Sequence, residues 1–112
     1  NTNYSDEIAD ALAQLPELPD LFICANDFVA IEVVKGLKLL GKSVPQDVML
    51  CGFDDSSESR IISPTLTTVH IHTQIMAYSA THLLMTRIKE PSLDFRTVHT
   101  ETTLILREST GN

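Results

Sequence analysis

Cations are scarce in this chain. Eight Lys and Arg stand against 15 Asp and Glu in 112 residues, a net charge of −7. Such a chain does not hold DNA by itself, because phosphate contacts need clustered positive charge. Long apolar runs are missing too: none reaches about 18 residues, so no membrane-spanning segment is expected. Four Gly and five Pro exclude collagen-like and low-complexity classes. No charged segment with an apolar core opens the chain, so no signal peptide is read there. The chain starts at Asn1 rather than Met, and is expected to be cut from a longer one.

Other absences narrow the chemistry. Gly36, Gly41 and Gly52 are too scattered for a phosphate-cradling loop. There is no G-x-S-x-G elbow, so Ser56, Ser57 and the four His make only a weak case for a nucleophilic triad. The two cysteines, Cys24 and Cys51, lack C-x-x-C or Cys/His spacing, which argues against a metal site. Both sit in apolar runs and read as reduced core thiols; two cysteines are a thin disulfide framework. Asn3-Tyr4-Ser5 fits a glycosylation sequon, but the tripeptide carries no argument alone. No metal and no cofactor is expected.

What remains is globular: 43% hydrophobic, 21% charged, in one domain or less. Ser5 reads as an N-cap of a helix with Ile8, Leu12 and Leu15 on one face, ended by Pro16 and Pro19. Leu21-Phe22-Ile23-Cys24-Ala25 is continuously apolar, the pattern of a strand covered on both faces of a parallel sheet. Asn26-Asp27 caps a second helix bearing Ala30, Val33, Val34, Leu37 and Leu40, with Gly41 just past its end. After a turn at Val44-Pro45-Gln46-Asp47, residues 48–53 form a second buried strand. Residues 20–53 are thus a strand–helix–strand unit. Residues 54–60 are a polar loop. Thr65 to Ile71 is extended. Residues 73–89 form a third helix, with Met76, Ala80, Leu83, Leu84 and Ile88 on one side, and Phe95–Val98 and Thr102–Leu106 read as edge strands.

In a parallel α/β sheet, ligands bind beyond the carboxyl ends of the strands. Asn26-Asp27 and Asp54-Asp55 fall at two such ends. Their donors and acceptors suit a hydroxyl-rich ligand or a nucleobase edge. Equally, Asn26 and Asp27 cap a helix, and Asp54 and Asp55 are residues of a solvated acidic loop. His70 and His72, two apart on a strand, share a face; paired His bind metals, but such positions are commonly ordinary.

Four motifs then occur in order: Ala25-Asn26-Asp27, Val44-Pro45-Gln46-Asp47-Val48, Gly52-Phe53-Asp54-Asp55 and Pro64-Thr65-Leu66-Thr67-Thr68-Val69, with Leu-Ile-Leu-Arg-Glu-Ser near the end. From about Pro19 to Thr110 the chain resembles the lactose-repressor/galactose-repressor family of bacterial transcription regulators. The resemblance implies an α/β lobe of the periplasmic-binding-protein-like type I fold: a three-layer parallel sheet, incomplete here, with edge strands at the C-terminus. Residues 1–112 would be the C-terminal lobe of the sensor, without the helix-turn-helix and nearly all of the first lobe. The family's members bind a small effector, a sugar or a nucleobase, between two lobes, and so control operator binding. The positions that match the family's effector-binding residues are Asn26, Asp27 and Asp54; at Tyr4 the match is too loose to transfer a role.

On this reading the chain is not an enzyme, the compartment is cytoplasmic, and DNA is contacted only through the missing N-terminal domain. A periplasmic sugar-binding protein is the alternative within the same fold. The V-P-x-D-V, L-T-T-V and R-E-S motifs favour the regulator. A hydrolase or isomerase is the distant alternative. In the family the helix matching 73–89 packs on the first lobe, so its apolar stripe is expected to lack a partner. An exposed stripe invites association, hence a homo-oligomer, with that helix docked on its own lobe or exchanged between copies.

Overall fold

The computed structural model describes residues 4–112; Asn3, and with it the sequon, lies outside them. The elements run α1 (Tyr4–Ala13), β1 (Leu21–Ile23), α2 (Asp27–Leu39), β2 (Met49–Cys51), β3 (Thr68–Ile71), α3 (Thr73–Lys89) and β4 (Thr102–Ile105), with 3-10 turns at Ser57–Arg60 and Glu108–Thr110. They divide into two units. Unit 1 comprises residues up to His70 together with Leu104–Asn112, and unit 2 is Ile71–Thr103.

In unit 1, β1 and β2 pair in parallel, with Leu21 opposite Met49 and Ile23 opposite Cys51. Parallel bridges Cys51–Thr67 and Asp54–His70 continue the pattern toward β3, and β3 neighbours β4 in a second two-stranded sheet. The core forms where α2 lies on the strands: Cys24, Ala30, Val34, Leu37, Val48, Leu50 and Leu66, with Leu12 of α1 against them. Burying side chains of this size stabilises by about 1.5–3 kcal/mol each.

Helix α2 is built as its sequence suggests. Asn26 is its N-cap, the side-chain oxygen accepting from Val29 N at 2.9 Å. At the other end Gly41 takes φ +71, and Lys42 N donates to Leu37 O at 2.9 Å. That six-residue closure favours Gly, which alone adopts positive φ without steric cost. The expected turn at residues 44–47 is present.

Four expectations are corrected. Ser5 does not cap α1. It is buried inside the helix, and its hydroxyl donates to Glu32 Oε2 of α2 at 2.7 Å. The helices meet closely at Gly36, where a Cβ would stand 3.2 Å from the Ser5 carbonyl oxygen and 3.0 Å from Ile8 Cγ2. β1 is covered on one face only: Phe22 and Cys24 turn toward the core, while Ile23 is 78% exposed. The core packs against Phe22 and Cys24, so Leu21 and Ile23, the alternate residues of the apolar run, stay open. The strands are also shorter than their apolar runs, three or four residues each. Finally, Phe95–Val98 is not a strand. Phe95 is 86% exposed and lies under the Arg87 guanidinium, 4.3 Å from its ring centre.

In unit 2, α3 runs over the expected residues 73–89, and none of them is buried. A groove of about 400 Å³ passes beside it, lined by Ile71, Met76, Leu83 and Val98 among others. His72 Nε2 lies 2.9 Å from Thr103 Oγ1. No helix among the described residues is long and apolar enough to cross a membrane.

Candidate functional site

Residues 26, 27, 54 and 55 all lie at the carboxyl ends of β1 and β2, where the sequence placed them. Asp27 N donates to Phe53 O at 3.0 Å, tying the first turn of α2 to the end of β2. The Asp27 side chain goes further inward. Only 2% exposed, it accepts from Thr68 Oγ1 at 2.6 Å through one oxygen and from Ser56 N at 2.7 Å through the other. A buried carboxylate needs such donors, since leaving it unpaired costs several kcal/mol. Gly52 is the condition for this arrangement. A Cβ there would stand 2.2 Å from Asp27 Oδ1, so the glycine of the G-F-D-D motif makes room for the aspartate of A-N-D.

Asp54 and Asp55 both have positive φ, 108° and 54°. Side chains other than Gly rarely adopt this region, though Asp does so more often than most. The geometry is held by partners. Asp54 N donates to Val69 O at 3.0 Å, and Asp55 N to Thr68 Oγ1 at 3.2 Å. The two side chains diverge. Asp54 is exposed, beside the carboxyl ends of the strands.

Asp55 turns inward, to Arg107 Nη2 at 2.7 Å and His70 Nδ1 at 2.9 Å. Burial pushes its carboxyl up, but the hydrogen bonds from Arg107 and His70 and the charges of Arg107 and Arg60 outweigh that, holding it below its ordinary 3.8. His70 and His72, expected to share a face, thus answer different residues: His70 meets Asp55 and His72 meets Thr103.

Sequence spacing did not single out the C-terminal turn, yet it braces the site. Ser109 Oγ donates to Leu50 O at 2.5 Å and accepts from Thr67 N at 2.8 Å. Glu108 Oε1 accepts from the Thr65 hydroxyl at 2.8 Å. Arg107 Nη1 donates to Ser59 Oγ and Leu66 O at 2.8 and 3.0 Å. The Arg-Glu-Ser motif was the available signal, but its partners lie some forty residues or more away. Also outside the site residues singled out from sequence is an exposed aromatic pair. Tyr4 and Phe28 meet edge to face, ring centres 6.5 Å apart, and Phe28 is two residues after Asn26.

Cys24 and Cys51 are free thiols. Burial, with the Cys51 charge adding to it, pushes the Cys24 thiol up to about 11, so it is protonated at neutral pH.

Residues 1–110 match the family model of the periplasmic binding protein-like domain. The chain is 33% identical over 103 residues to the HTH-type transcriptional repressor PurR of Actinobacillus pleuropneumoniae, covering 90% of this chain and 31% of that protein. It therefore spans about a third of that relative's length. Among solved structures it is similar to a transcriptional regulator of LacI family from Sanguibacter keddieii, with TM-score 0.87 and 32% identity over 97% of this chain and 42% of that one. A LacI family transcriptional regulator from Arthrobacter sp. FB24, in complex with lactose, superposes with TM-score 0.79 and 27% identity over 96% of this chain and 40% of its own.

Proposed function

The chain belongs to the family of periplasmic-binding-protein-like domains carried by regulators of the lactose-repressor/galactose-repressor type, and from that premise we propose that it is the C-terminal lobe of an effector sensor. It binds a small hydroxyl-rich ligand, a sugar before a nucleobase, between this lobe and another, and thereby controls how a longer cytoplasmic regulator holds its operator. It performs no catalysis. The operator is held by a separate DNA-binding domain, which accords with a net charge of −7 in this part. The regulator is a homo-oligomer.

The observation that carries this reading is the placement of Asn26 and Asp54 at the carboxyl ends of two adjacent parallel strands, where α/β sheets bind ligands. The exposed Asp54 carboxylate accepts from ligand hydroxyls. Asn26 spends its oxygen on Val29 N, so it meets the ligand through its amide NH2. Asp27 serves from behind, since both its oxygens are engaged by Thr68 and Ser56; it fixes the turn rather than touching the ligand. Tyr4 and Phe28 supply an apolar face, as sugar-sized pockets combine aromatic walls with a few placed polar groups.

The test is calorimetric titration of the full-length regulator with lactose, ribose and guanine. Asn26→Ala or Asp54→Ala is expected to weaken the binding that wild type shows by about 1–3 kcal/mol each, because ligand groups lose their partners. Operator affinity without ligand stays unchanged. Undiminished binding in both variants would refute the assignment.

A further inference from the structure

Asp54 and Asp55 are chain neighbours with opposite engagements. The proposed ligand contact is Asp54. Asp55, with a side chain 9% exposed, holds two segments far apart in sequence, the end of β3 and the start of the 3-10 turn after β4. Its Oδ2 pairs with His70 of β3, 15 residues on, and its Oδ1 with Arg107, 52 residues on. These partners have special places in the chain. His70 is the last residue of unit 1 before the chain leaves for unit 2, and Arg107 follows closely after its return at Leu104. One carboxylate thus grips the last residue of unit 1 before the chain leaves it and the turn that follows the chain's return.

The grip is reinforced on each side. Arg107 forks, one amine on Asp55 and the other on Ser59 Oγ and Leu66 O. Arg60 Nε lies 3.7 Å from Asp55 Oδ1, and Ser59 Oγ is 3.5 Å from the same oxygen. Two backbone amides of the loop also donate to β3, Asp54 N to Val69 O and Asp55 N to the Thr68 hydroxyl. Arg107 N in turn donates to the Thr67 hydroxyl at 2.7 Å. Charge-assisted bonds of this length are the strong ones, and members of one network respond together rather than additively.

We propose that Asp55 is a positioning residue, a clasp that couples the loop of Asp54 to the end of β3 and to the turn that follows β4. A ligand on Asp54 would thus sit on a loop fastened to both segments. This rests on the reading of Asp54 as a ligand contact. The clasp itself makes a prediction that needs no ligand: loosening one arm loosens the segment held by the other.

Amide hydrogen exchange, read residue by residue by NMR on the full chain, tests it. His70→Leu is expected to speed exchange at Arg107, and Arg107→Met at Asp54, each by about fivefold or more, within the coupling that network neighbours show. Asp55→Asn, nearly isosteric, raises both. Arg107→Lys keeps the charge but gives up the fork, and serves as the mild variant, with a smaller rise at Asp54. In all of them Val34 and Leu37, in the core of α2, exchange as in wild type. If each variant affects only its own segment, or if Val34 and Leu37 speed up by the same factor as the site, the clasp is refuted and Asp55 is only a stabilising contact. Because no ligand is present, this outcome is independent of the titrations that judge Asp54.

Discussion

The two units of this chain use similar apolar residues to different ends. Unit 1 encloses Val34, Leu37, Leu50 and Leu66 almost completely and satisfies the buried polar groups beside them, from Asp27 to Ser109, with hydrogen bonds. Unit 2 contains the longest helix, α3, and buries none of its 17 residues; Ile75, Leu84, Met85 and Ile88 all stand exposed. An isolated helix of that length is marginal in water, because packing rather than propensity supplies most helical stability. The candidate site residues lie in the unit that carries its own core. Sites need side chains whose positions are over-determined, and only there does the chain provide them.

One substitution in each unit separates the two. Leu50→Ala removes a side chain that is fully buried and should cost about 2–5 kcal/mol. Leu84→Ala, on the exposed helix, should stay within about 0.5 kcal/mol. Urea unfolding followed by circular dichroism measures both. Equal losses would mean that α3 is packed in solution as tightly as β2, and the contrast would fall.

A second substitution probes the polar half of unit 1. Gly52→Ala drives a methyl against the Asp27 carboxylate and within 3.0 Å of Leu66 Cδ2. A cost of about 1–3 kcal/mol is expected, typical of overpacking. Gly41→Ala is the control. Its Cβ meets nothing within 4 Å, so its penalty is that of positive φ alone. A thermal melt in which the Gly52 variant is as stable as wild type would show that Asp27 is not held as tightly as its contacts indicate.

Much of this was legible in the sequence, and the failures have physical causes. Gly41, Asn26 and the extent of α3 follow from local rules, where cap chemistry and helical period act within a few residues. The strand-end location of the site follows from strand–helix–strand order. Ser5 was misread because a serine hydroxyl before two acids looks the same whether it caps its own helix or reaches Glu32 on another. Ile23 was misread because a continuous apolar run does not tell a strand covered twice from one whose far face is open in this chain. The pairing of Asp55 with His70 and Arg107 left no local trace at all. For Asp27 the sequence reads as cap or ligand contact and shows no sign of its partner Thr68, 41 residues away.

The last contrast is electrostatic and smaller. The carboxylates held below their ordinary values, Glu32, Asp55 and Glu108, all belong to unit 1. A carboxyl whose folded-state value is lowered contributes stability that is present above its unfolded value and lost as pH falls through the folded one. For Asp55 the loss therefore begins near its ordinary 3.8 and continues below it, as His70 and Arg107 lose an anionic partner. Asp55→Asn removes the titrating group, so its stability should fall less between pH 5 and pH 3 than that of wild type, even though it is less stable at pH 7. Glu32 and Glu108 still titrate, and some acid loss will remain. Urea midpoints at pH 3, 5 and 7 check this. Parallel curves for the two proteins would mean that the Asp55 contacts do not depend on its charge, leaving only shape to join the site loop to β3 and to the turn at Arg107.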